Sequence, residues 1–151
     1  MKLLKLSVGA DERNHVVDWA LDYLKNKGYD VTWHGPDSSE TVPWPQVGRS
    51  VAEDVVSDRA DEGILFCWTG TGVSLAANKV PGIRAALCVD AETARGARLW
   101  NNANIICMSL RLASEAVAEE ILKAWFSTTY EPNPEDDACL AQIESLEEAY
   151  S

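Results

Sequence analysis

Gly63-Ile64-Leu65-Phe66-Cys67-Trp68-Thr69-Gly70-Thr71-Gly72-Val73-Ser74 is the stretch on which this chain turns. A short apolar run ends in a cysteine. A Thr/Gly loop follows, and then a helical pattern from Val73 to Asn78. A strand feeding a glycine-rich turn feeding a helix aims backbone N–H groups at one point, where negative charge is stabilised. A thiol beside such a nest is a candidate base or nucleophile, because the same field favours thiolate. The plainer alternative is a buried cysteine at a strand end and a loop that merely turns. The window alone leaves both open, since glycine-rich turns are weak motifs.

Outward from this window, apolar runs of strand length alternate with segments of helical period. Strands are expected at Leu3 to Val8, Tyr29 to Trp33, Ile64 to Cys67, Arg84 to Val89 and Ile105 to Met108. Val16, Val17, Ala20, Leu21 and Leu24 mark a first helix, with Gly28 as its stop. Further helices are expected at Val47 to Val56, Val73 to Lys79 and Ala91 to Trp100, the last capped by Asp90. Another runs from its Ser114 cap to Phe126, and an acidic one from Glu135 to Tyr150. Gly35 to Pro45 reads as a proline-marked loop. This alternation predicts one α/β domain over residues 1–151. It is a doubly wound, Rossmann-like sheet of five parallel strands with helices on both faces and a C-terminal helix. Ligands in such sheets bind beyond the carboxyl ends of the strands. Asp11, Cys67, Asp90 and the Met108–Arg111 turn all follow strands, so they are expected on one edge.

The 151 residues, 46% hydrophobic, suffice for a sizeable core. The net charge of -11 argues against a nucleic acid or an anionic membrane as partner. The four cysteines form no C-x-x-C pair and the two histidines are scattered, so no metal and no cofactor is expected. Reduced thiols point to the cytoplasm. No apolar segment has the length of a signal peptide core or a transmembrane helix, and neither is expected. Arg13 is placed to answer Glu12 in a local ion pair, and His15 is expected at the surface of its helix.

Beyond the opening window, Ala76-Ala77-Asn78-Lys79-Val80-Pro81-Gly82-Ile83-Arg84-Ala85-Ala86-Leu87-Cys88 is a distinctive string. With Thr93-Ala94-Arg95, Asn101, Ala103-Asn104 and Arg111, it resembles the family of ribose-5-phosphate isomerase B and the galactose-6-phosphate isomerase subunits. The likeness spans nearly the whole chain. It implies metal-free interconversion of an aldose and a ketose through an enediolate. Cys67 would remove the proton next to the carbonyl, and the amides of Trp68, Thr69, Gly70, Thr71 and Gly72, with Ser74 nearby, would hold the oxyanion. Asp11 and Asn101 would hold substrate hydroxyls, Arg111 would lie beside the site, and two subunits of a homodimer would share each active site.

The chain departs from that family at several positions. Glu12 stands where the family has a histidine that contacts phosphate. Trp100 stands where a histidine opens the sugar ring, and an indole N–H only donates. Trp68 replaces a glycine and Trp44 a tyrosine. The C-terminal arginines that hold the phosphate have no counterpart. The expectation is a surviving proton-transfer half and a lost phosphate pocket, with Trp44, Trp68 and Trp100 as an aromatic wall and Glu12 as a replacement acid or ligand. The substrate is expected to be non-standard, either unphosphorylated or modified. Two alternatives remain: a catalytically idle sugar- or metabolite-binding protein on the same fold, or an epimerase or lyase that uses an enolate.

Overall fold

The computed structural model describes residues 3–151. Met1 and Lys2, which precede the first predicted strand, lie outside the described residues. The elements run β1 (Lys5–Ala10), α1 (His15–Asn26), β2 (Asp30–His34), α2 (Trp44–Val56), β3 (Glu62–Cys67) and α3 (Thr71–Ala77). They continue with β4 (Ala85–Leu87), α4 (Ala91–Asn101), β5 (Ile105–Ser109), α5 (Glu115–Ser127) and α6 (Pro134–Ala149). The five strands form one parallel sheet in the order β2-β1-β3-β5-β4.

The three central strands carry near-continuous apolar runs because both faces of the sheet are covered. On one face α1 and α5, with Ala94 and Ala97 of α4, bury Leu6, Val8, Ile64, Phe66, Ile106 and Met108. On the other, α2 and α3 bury Leu65, Cys67, Ile105 and Cys107. Asn14, Asp90 and Ser114 cap their helices through side-chain acceptors, as residues of these types do.

Two boundaries differ from the sequence reading for identifiable reasons. α2 begins at Trp44 rather than Val47, because Pro45 sits in the first turn, where its missing N–H is not needed. β1 extends to Ala10 through Gly9, where a Cβ would lie 2.6 Å from Val47 Cγ1. A buried polar network ties β1 and β2 to α2. Ser7 Oγ donates to Asp54 Oδ2 at 2.8 Å, His34 Nε2 lies 2.6 Å from the same oxygen, and Arg59 Nε reaches Oδ1 at 2.9 Å. Burial pushes the Asp54 carboxyl up, but these hydrogen bonds together outweigh it and hold the group below its ordinary range.

α6 differs in kind from the other helices. It buries none of its residues and leaves Leu146 exposed. Gly82 N–H donates to Glu147 Oε2 at 2.5 Å, which fixes the helix beside the start of β4.

Candidate active site

The order of strands places the chemistry. The chain leaves β1 toward β2 on one side, while β3 lies on the other, so the crevice between β1 and β3 is the switch point where such sheets bind ligands. The register pairs Ala10 with Phe66. Asp11 and Cys67 therefore leave neighbouring strands at the same level. β5 lies on the far side of β3 and pairs Ser109 with Cys67. Asp11, Cys67 and the turn to Arg111 thus share the carboxyl edge, as expected.

The loop after Cys67 is held by backbone and side-chain contacts from β5. Leu110 N–H donates to the Cys67 carbonyl at 3.0 Å and Arg111 N–H to the Trp68 carbonyl at 2.9 Å. Ser109 Oγ donates to the same Trp68 carbonyl at 3.0 Å and accepts from Leu112 N–H at 3.2 Å. Ser109 is a positioning residue that sequence reasoning missed. Its only signal was a hydroxyl at a strand end before a turn. Gly70 adopts φ +77°, and no side chain caps α3. The first amides of α3 therefore keep no intrahelical partner and no side-chain acceptor. Thr69 Oγ1 and Thr71 Oγ1 lie 2.7 Å apart. Gly72 is packed by Trp44, whose Cδ2 lies 2.8 Å from where a Cβ would stand. Ser74 lies half-buried on α3.

Cys67 is only 3% exposed, at the lip of the second core layer. Asp11 has one carboxylate oxygen, Oδ1, buried without a hydrogen-bond partner among the described residues. Burial and the neighbouring Glu12 raise its carboxyl above the ordinary range, against a smaller opposing backbone hydrogen bond. The Asp11 carbonyl accepts from Val42 N–H at 3.0 Å, which draws the loop before α2 over this edge. Arg13 does not pair with Glu12. Its guanidinium is bound to Asp18 at 2.6 Å and lies over the Trp33 ring, because Asp18 sits in the facing first turn of α1. His15 is exposed and lies 2.9 Å from Glu115. Arg111 is exposed and makes no ion pair among the described residues.

Trp100 and Asn101 are elsewhere. α4 starts after the carboxyl end of β4 and runs back against the strands. Arg98, one turn from its end, pairs with Glu62 at the amino end of β3 at 3.1 Å. Trp100 and Asn101 therefore sit at the opposite edge from Cys67. They line a groove of about 340 Å³ with Ile83, Ala85, Leu140 and Ile143. One chain brings Trp44 and Trp68 to the carboxyl edge but leaves Trp100 out, so the three-tryptophan wall does not form within a single chain. Among the described residues no group of three His, Cys, Asp or Glu is arranged to hold a metal ion. No helix among the described residues is long and apolar enough to cross a membrane.

Residues 6–143 match the Ribose/Galactose Isomerase family. This chain belongs to that family. It is 39% identical to the galactose-6-phosphate isomerase subunit LacB of Clostridium acetobutylicum, over 83% of this chain and 72% of that protein. It is 37% identical to the D-erythrulose-4-phosphate isomerase of Pectobacterium atrosepticum, over 85% and 86%. Ribose-5-phosphate isomerase B of Clostridium thermocellum superposes with a TM-score of 0.94 at 36% identity, covering 98% of this chain and all of that one. Members of this isomerase family thus differ in the sugar their names give, while the fold is held closely.

Proposed function

We propose that this protein interconverts an aldose and a ketose through an enediolate, with Cys67 as the base. The observation that carries the reading is the crevice between β1 and β3. It sets Cys67 next to an uncapped amide cradle and level with an Asp11 oxygen that lacks a donor. Such a cradle stabilises the enediolate oxygen; donors of this kind are worth about 3–4 kcal/mol each in the transition state. The unpartnered Asp11 oxygen accepts a substrate hydroxyl. Thr69 and Thr71 hold the loop in shape, Arg111 borders the site, and Glu12 supplies a further carboxylate at the mouth. Trp44 and Trp68 offer apolar faces.

The site is completed by a second subunit. In a homodimer the partner's α4 end brings Trp100 and Asn101 to the carboxyl edge of this chain. Exposed apolar side chains support this pairing: Trp68, Leu75, Val89, Trp100 and Leu112 lie on the surface of the lone chain.

Solvent-deuterium exchange at the carbon beside the carbonyl tests the chemistry, followed by NMR across a panel of sugars with and without phosphate. Exchange is expected, and Cys67→Ser is expected to slow it by about 10²–10⁴-fold. Silence across the panel, or exchange untouched by the substitution, overturns the reading. The near-complete cover over Cys67 favours one rival, a sugar-binding protein without turnover. That rival predicts binding unchanged in Cys67→Ser and no exchange.

A further inference from the structure

We propose that the sugar handled at this site is neutral, an unphosphorylated aldose or ketose, and that a terminal phosphate is selected against. This rests on the isomerase reading above and names the substrate class of the same site. Holding a phosphate dianion takes several charge-assisted hydrogen bonds from cations free to give them. The loops that follow β1 and β5 at the carboxyl edge carry Arg13 and Arg111. Arg13 is committed, bonded to Asp18 through Nη2 at 2.6 Å and Nε at 2.7 Å, and stacked on Trp33 at 5.2 Å. Arg111 is left as one exposed guanidinium. Against it stand Asp11 and Glu12 at the end of β1, already close enough to repel each other.

The elements a partner would contribute do not restore the balance. α6 contains six carboxylates, Glu135, Asp136, Asp137, Glu144, Glu147 and Glu148, and neither Lys nor Arg. Arg84, beside α6, faces Glu144 and Glu147 and uses its Nε on the Asn102 carbonyl at 2.7 Å. A dianion entering here meets carboxylates, with Arg111 the guanidinium at this edge that makes no ion pair among the described residues, and like charges brought together disfavour the complex.

What the site does offer suits a polyol. The buried Oδ1 of Asp11 needs a hydrogen-bond donor, which a sugar hydroxyl supplies. Trp44, resting on Gly72 and 43% exposed, presents a flat apolar surface to the C–H face of a sugar.

The test pairs each sugar with its terminal phosphate ester, using pentoses, hexoses and a tetrulose. Exchange rates are measured, with affinity followed by tryptophan fluorescence at low and high salt. Neutral sugars are expected to exceed their esters in kcat/KM by at least about tenfold, with affinity little changed by salt. Glu12→Lys is expected to move the preference toward the esters. Exchange with esters only, or tight salt-sensitive ester binding, overturns the neutral-substrate proposal and leaves the isomerase reading standing. Absence of exchange with every sugar overturns the isomerase reading and this proposal with it.

Discussion

Asp11 is held in a state that costs the fold something. Burial and Glu12 raise its carboxyl, so the folded chain binds that proton more tightly than the unfolded one. The stability it contributes is full below the unfolded value near pH ~4 and is lost as pH rises through the folded value. At neutral pH the ionised group is therefore a burden. Asp11→Asn is expected to raise stability by about 0.5–2 kcal/mol at pH 7, and by less at pH 4, while reducing turnover. Chemical denaturation at the two pH values checks this; an Asn variant less stable at pH 7 refutes it. The thiols are graded in the same way. Burial pushes Cys88 up to about 12, with Asp90 adding to it, and burial raises Cys107 as well. Cys139 is exposed. A native thiol titration should count one fast group, Cys139, with Cys67, Cys88 and Cys107 slow until unfolding. Two fast groups would mean that the lip over Cys67 opens readily.

The loop between β3 and α3 depends on two glycines in different ways. At Gly70 a Cβ would meet the φ of +77° and approach the Met108 carbonyl carbon at 3.0 Å, which is backbone and does not yield. Gly70→Ala is expected to cost about 1–3 kcal/mol. At Gly72 the obstacle is the indole of Trp44, which is partly exposed and has room to move. Gly72→Ala should cost less than about 1 kcal/mol in stability yet raise KM, since the platform shifts and the fold does not. Thermal melts with steady-state kinetics separate the two. The elements themselves were legible in the sequence. Every predicted strand and helix exists, because apolar runs and helical spacing survive translation into a two-sided sheet. Their ends were less legible. Pro43 and Pro45 looked like loop and prove to start α2, since proline is tolerated in a first turn. Arg13 was expected to face Glu12, but the helical turn offers Asp18 instead.

For the molecule as a whole, strand order decides which residues meet. Asp11, Cys67 and Arg111 could be placed together from the sequence because each follows a parallel strand. Trp100 and Asn101 lie at the far end of a helix that runs antiparallel to those strands, and chain order alone does not show which edge they reach. In the proposed homodimer two chains make each site, and this is measurable. Inactive Cys67→Ser and Asn101→Ala chains, mixed and reassociated, should recover about one quarter of wild-type activity, because half the dimers are mixed and each has one intact site. No recovery would overturn the shared site. The β4 margin then bears on growth. With three residues, Ala85 to Leu87, it exposes few free peptide groups to template another strand, which blunts this edge against strand-by-strand growth into a fibre.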